Sequence, residues 1–97
     1  MNDESIKELL FRRRQQVWVH SILYYRMNTN LISDFQWSKW ALELENLQNE
    51  YPELSKQVAY YDVFKDFDHS TGSTLPLDDT KMLTKAKYLI DISSRKD

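Results

Sequence analysis

The stretch Ile32-Ser33-Asp34-Phe35-Gln36-Trp37, read through to Tyr51-Pro52-Glu53-Leu54, decides the fold. Ser33 followed three residues later by Gln36 has the capping-box form, in which a hydroxyl accepts an otherwise unpaired amide at a helix start. Asp34 in the first turn suits the positive end of the helix dipole. Beyond it, Trp37, Trp40 or Ala41, Leu44, Leu47 and Tyr51 recur at helical spacing, with Glu43, Asn46, Asn49 and Glu50 on the other side. Pro52 disfavours helical geometry at Tyr51, so the helix stops there.

Working outward, residues from about Glu4 to Met27 contain no Gly or Pro, and Ile6, Leu9, Leu10, Val17, Ser21 and Tyr24 fall near one helical face. The spacing predicts one long helix, ended by Asn28-Thr29-Asn30. Downstream, a short turn of helix is expected at 53–57. A further short helix is expected through Tyr60, Val63, Phe64 and Phe67, then a loop at 68–74, with Gly72 at positive φ. Asp78 or Asp79 caps a final helix whose apolar face is Met82, Leu83, Ala86, Leu89 and Ile90. Residues 93–97 are expected to fray. The expectation is an all-α domain over 1–97, with two long antiparallel helices and shorter C-terminal helices. Trp37, Trp40, Leu44, Leu47, Leu83, Ala86 and Leu89 should be largely buried.

Composition narrows the function classes. With one Gly and two Pro in 97 residues, the turn residues that sandwiches and barrels need are missing. The net charge of −2 gives no overall attraction to nucleic acid or anionic lipid. Absent cysteine removes thiol chemistry and Cys-based zinc sites and fits a reducing cytoplasm. No apolar run approaches the ~18 residues of a membrane span.

Arg12-Arg13-Arg14 has the composition of a phosphate-contacting cluster. Three consecutive helical residues point about 100° apart, however, so ion pairs with Glu43 or Glu45 account for them equally well. Ser70-Thr71-Gly72-Ser73 reads as turn chemistry, because Leu75-Pro76-Leu77 separates it from the next helix start, where Asp78 and Asp79 would repel phosphate. His20 falls within the first helix and reads as packed; His69 reads as solvated. Their separation gives no metal signature.

Leu23-Tyr24-Tyr25, Ser33-Asp34-Phe35-Gln36-Trp37 and Tyr51-Pro52-Glu53-Leu54 together resemble the small N-terminal helical (Ia) domain of NAD-dependent bacterial DNA ligases. The whole chain is also similar to small stand-alone phage and prophage proteins related to ligases, through its Arg-rich first helix and the segment 64–76. The resemblance implies a clamp for the nicotinamide mononucleotide half of NAD. Tyr24 matches its first tyrosine, Asp34 its first aspartate, and Trp37 stands at the second tyrosine. Tyr25 replaces a histidine and Ser38 a second aspartate. The same residues also read as packing aromatics and a helix-entry carboxylate. Ligase chemistry requires a lysine in Lys-x-Asp-Gly, a motif this sequence does not contain. The expectation is therefore a non-enzymatic accessory protein of the bacterial host cytoplasm. It would hold NAD or nicotinamide mononucleotide weakly, require no metal, and act with an unnamed protein partner. Alternatives are an interaction module in phage DNA metabolism or, through Arg12 to Arg14, a nucleic-acid binder.

Overall fold

The computed structural model describes residues 2–95 and is all-helical: α1 (Asp3–Tyr25), α2 (Asp34–Glu50), α3 (Pro52–Gln57), α4 (Tyr61–Phe64) and α5 (Thr80–Ser94). Residues 96–97 of the segment expected to fray lie outside the described residues; Ser93 and Ser94 are helical, and Arg95 closes α5.

Short polar side chains set the helix starts. Asn2 accepts the Ser5 amide at 2.8 Å, Ser33 the Gln36 amide at 3.0 Å and Asp79 the Met82 amide at 3.0 Å. Of the two candidate caps for α5, Asp79 is the one used. Each such cap contributes about 1 kcal/mol. Past α1, Asn28 takes a left-handed conformation (φ 50°), and the Thr29 amide returns to the Leu23 carbonyl at 2.8 Å, reversing the chain.

Helices α1 and α2 run antiparallel, as their cross-contacts require. Ser21 of α1 meets Trp37 at the start of α2, Arg13 meets Glu43, and Arg14 meets Gln48 near the end of α2. Helix α1 is the axis of the fold, packing against α2, α3 and α5. Its buried residues consequently include two consecutive runs, Val17-Trp18-Val19 and Ser21-Ile22-Leu23, rather than the single stripe expected. Tyr24, assigned to that stripe, is 49% exposed instead.

The expected core shifts in the same way. Leu44 and Ala86 are fully buried, but Trp37, Trp40, Leu47, Leu83 and Leu89 are only half-buried and cover the cluster from outside. The centre is made by Ile6, Leu10, Ile22, Leu23, Ala41, Phe64 and Met82. Ala41 and Ala86 are fully buried in one cluster with the large aromatics Trp18 and Phe64, while Trp37 and Trp40 cover the cluster from outside. Helix α5, at 15 residues, is nearly as long as the 17-residue α2.

Gly72 corrects another expectation, since it does not have positive φ. Glycine is required there by space: a Cβ would lie 2.1 Å from Ser21 Oγ and 2.9 Å from Trp37 Cζ2. The α4–α5 loop thus presses its backbone against the α1–α2 seam. The positive φ in this half belongs to Tyr60 (73°). Its ring stacks on Phe11 at 6.0 Å and meets the edge of Trp18 at 5.3 Å.

Candidate functional site

A cleft of about 200 Å³ opens where the end of α1, the 26–33 loop and the start of α2 converge, with the α4–α5 loop on one side. Tyr24, Tyr25, Asp34 and Trp37 all line it, as does Ser38. The local chain explains why. The reversal at Asn28 returns the backbone beside the last turn of α1, and the Ser33 cap launches α2 back along it.

Each side chain has a distinct setting. Tyr24 and Tyr25 meet edge to face, with centroids 4.9 Å apart and planes at 90°, and both remain about half exposed. Tyr25 carries a tether, its hydroxyl lying 3.0 Å from Thr71 Oγ1. Trp37 directs its indole N–H inward, to Ser21 Oγ at 3.2 Å and the Val17 carbonyl at 3.3 Å. Ser21 Oγ itself donates to that carbonyl at 2.7 Å. The ring of Trp37 therefore borders the cleft while its polar edge locks α2 to α1. Asp34 is exposed in the first turn of α2, and its carboxylate has no hydrogen-bond partner among the described residues.

His20, expected from sequence as a packed helix residue, is packed and also borders the cleft. One turn before Tyr24, it lines the same cleft and packs against Trp40 with centroids 5.8 Å apart. Its Nδ1 is buried without a hydrogen-bond partner among the described residues. Burial pushes its pKa below 6.5, because a charged imidazolium would be poorly solvated there. The i, i+4 relation to Tyr24 was the available sequence signal.

The arginine cluster does not form one surface. Arg14 is wholly buried, with five hydrogen bonds to Gln48, the carbonyls of Ser55, Val58 and Ala59, and Ser55 Oγ. These use all five guanidinium N–H donors, so this residue is structural and unavailable to nucleic acid. Desolvation lowers its pKa to about 10, leaving it protonated at neutral pH. Arg13 pairs with Glu43 at 3.1 Å, as one reading expected, and lies over the Trp40 ring at 5.7 Å. Arg12 is exposed and paired with Glu8.

His69 is exposed and engages Glu45, with Nδ1 and the backbone amide 3.2 and 2.9 Å from the same carboxylate oxygen. Glu45, Asp68 and His69 bring possible ligand atoms within 4.8 Å of one another, a grouping that sequence spacing conceals. Asp68 also accepts the Ser70 amide at 2.6 Å, and hydrogen bonding from the Ser70 side chain first, then from this amide, holds its carboxyl below its ordinary value.

The fold and cleft thus define a small helical domain with an aromatic, singly acidic recess. Over 56 residues, 58% of its length, the chain is 38% identical to a DNA ligase of Brachyspira hyodysenteriae. This supports a ligase-related segment within the chain. The match spans 8% of that ligase's length. No family model matches the chain, and no solved structure matches it. Among the described residues, no helix is long and apolar enough to cross a membrane.

Proposed function

We propose that this chain is a non-enzymatic binding module resembling the Ia domain of NAD-dependent DNA ligases, and that its cleft holds a nicotinamide nucleotide-like ligand weakly. The supporting observation is convergence: Tyr24 and Tyr25 from the end of α1 and Asp34 and Trp37 from the start of α2 line one recess. Aromatic faces suit a flat heterocycle, and a free carboxylate can accept from ribose hydroxyls or a carboxamide. A recess of about 200 Å³ is smaller than the roughly 300–1,000 Å³ of sites for drug-sized ligands. It suits a ring with its sugar better than a whole dinucleotide.

Binding is expected to be weak because Tyr25 and Ser38 stand where the ligase domain has a histidine and an aspartate. Losing two such partners costs about 1–3 kcal/mol each, when both are well placed. The module is read as non-enzymatic because the adenylation motif Lys-x-Asp-Gly does not occur in these 97 residues. In this reading the Arg-rich first helix and the segment 64–76, which resemble stand-alone phage and prophage proteins in sequence, place the chain in a phage or prophage setting, acting with a partner protein.

The test is an amide-resolved NMR titration with NAD, nicotinamide mononucleotide and a short DNA duplex. Shifts at Tyr24, Asp34 and Trp37 with the mononucleotide, reduced in Tyr24→Ala, support the reading. An unresponsive cleft at millimolar ligand overturns it. A second reading, a protein-interaction module, is favoured by Phe35, which is 78% exposed beside the cleft at the start of α2. Pull-down from cells, lost in Phe35→Ser, tests that reading.

A further inference from the structure

We infer that the cleft selects the cationic pyridinium ring of its ligand and leaves any phosphate unrecognised. This rests on the nicotinamide reading and specifies which part of such a ligand is held.

The charges lining the recess carry the argument. Asp34 contributes the lone carboxylate, and no Lys or Arg lines the cleft among the described residues. Arg26 and Lys39 adjoin Tyr25 and Ser38 in sequence, yet neither borders the recess. His20 borders it as a neutral imidazole near neutral pH, because burial disfavours its protonated form. A phosphate entering the cleft would meet one like charge and no opposing one.

The N-terminus of α2 is the place where an anion could otherwise sit. Here, Ser33 Oγ already accepts the Gln36 amide, and Asp34 adds a negative side chain to the first turn, offsetting the dipole's positive end. That end of the helix is complementary to a cation.

The aromatic residues fit the same ligand. Tyr24 and Tyr25 present half-exposed rings at right angles. Trp37 turns its N–H away toward α1, so its contribution to the recess is apolar ring. A delocalised cation over such rings is attracted by their quadrupole, and a nearby carboxylate adds to that attraction. An N-substituted pyridinium satisfies both, whereas a neutral ring of the same shape satisfies only the stacking.

Two matched pairs of compounds test this by NMR titration of the full chain. 1-Methylnicotinamide against nicotinamide isolates the ring charge; nicotinamide riboside against nicotinamide mononucleotide isolates the phosphate. The methylated cation should bind roughly three- to tenfold tighter than nicotinamide, and Asp34→Asn should remove most of that gap. Asp34 is exposed and is not the cap, so this variant should fold, as checked by its amide spectrum. The riboside should bind at least as tightly as the mononucleotide, and inorganic phosphate should shift nothing at the cleft.

Equal affinity for 1-methylnicotinamide and nicotinamide, or an undiminished gap in Asp34→Asn, overturns the inference. So does a mononucleotide markedly tighter than the riboside, although the nicotinamide reading would then stand. Silence toward every nicotinamide compound sinks that reading and this inference with it.

Discussion

Arg14 on α1 holds Ser55 on α3 through one guanidinium nitrogen, which donates to Ser55 Oγ at 2.6 Å and to its carbonyl at 3.1 Å. The remaining donors reach Gln48 Oε1 and the carbonyls of Val58 and Ala59. A single buried cation thus organises the descent from α2 through α3 toward α4. No carboxylate is among these partners; neutral acceptors satisfy it throughout.

Arg14→Ala should therefore be among the most damaging substitutions, at roughly 3–5 kcal/mol, since it opens a cavity and strands several buried acceptors. Arg14→Lys keeps the charge, but three donors on one nitrogen cannot replace a planar five-donor fork. It should still cost about 2 kcal/mol. Urea unfolding midpoints at constant m-value measure both, and wild-type stability in Arg14→Lys would contradict this account.

Gly72→Ala should destabilise by about 1–3 kcal/mol, the usual range for overpacking a well-filled site. Ser21 Oγ cannot easily swing aside because it donates to Val17 and accepts from Trp37. Thermal unfolding should register a drop of about 4–8 °C per kcal/mol for a chain of this length. Altered amide shifts at Trp37 would show that the strain reaches the cleft.

Acid should weaken the fold partly through His20. The unfolded chain takes up this proton near pH 6.5, and the folded chain only at lower pH. Between those values the unfolded state binds more protons, so stability falls as pH falls. His20→Gln should flatten this part of the stability profile as pH falls below about 6.5, measured by denaturant midpoints against pH. An unchanged slope would show that His20 contributes nothing to it. Asp68, held below its ordinary value by Ser70, acts in the same direction at more acidic pH.

Tyr24→Ala should separate binding from folding. Tyr24 is half exposed, and its aromatic neighbour is Tyr25. Its edge-to-face contact is worth about 0.5–1.5 kcal/mol, so the unfolding midpoint should move little while ligand-induced shifts at Asp34 and Trp37 diminish. Trp37→Ala, by contrast, should lose stability as well, because its indole N–H ties α2 to α1.

Local chemistry made much of the scaffold legible in the sequence. Ser33 and Asp79 cap helices because a short oxygen-bearing side chain reaches an amide three residues on. Asn28 ends the first helix because it tolerates the left-handed region. The grouping of Tyr24, Tyr25, Asp34 and Trp37 was also readable, through a short loop joining two amphipathic helices and through resemblance.

Packing across distant segments decided the rest. Nothing local distinguishes Arg14 from Arg12 and Arg13; burial follows from which face of α1 meets α2 and α3 together. Gly72 reads as a turn residue until Ser21 and Trp37 are brought against it from 51 and 35 positions away. His20 reads as a packed helix residue until the returning loop builds a recess beside it. Sequence alone determined where the three long helices begin and end and which aromatics lie near their ends, because those features depend on neighbours within a few residues. The short helix expected through Phe67 stops at Phe64. Only the tertiary structure decided which side chains are enclosed and which border the cleft, because burial and charge balance are set by contacts that no local spacing encodes.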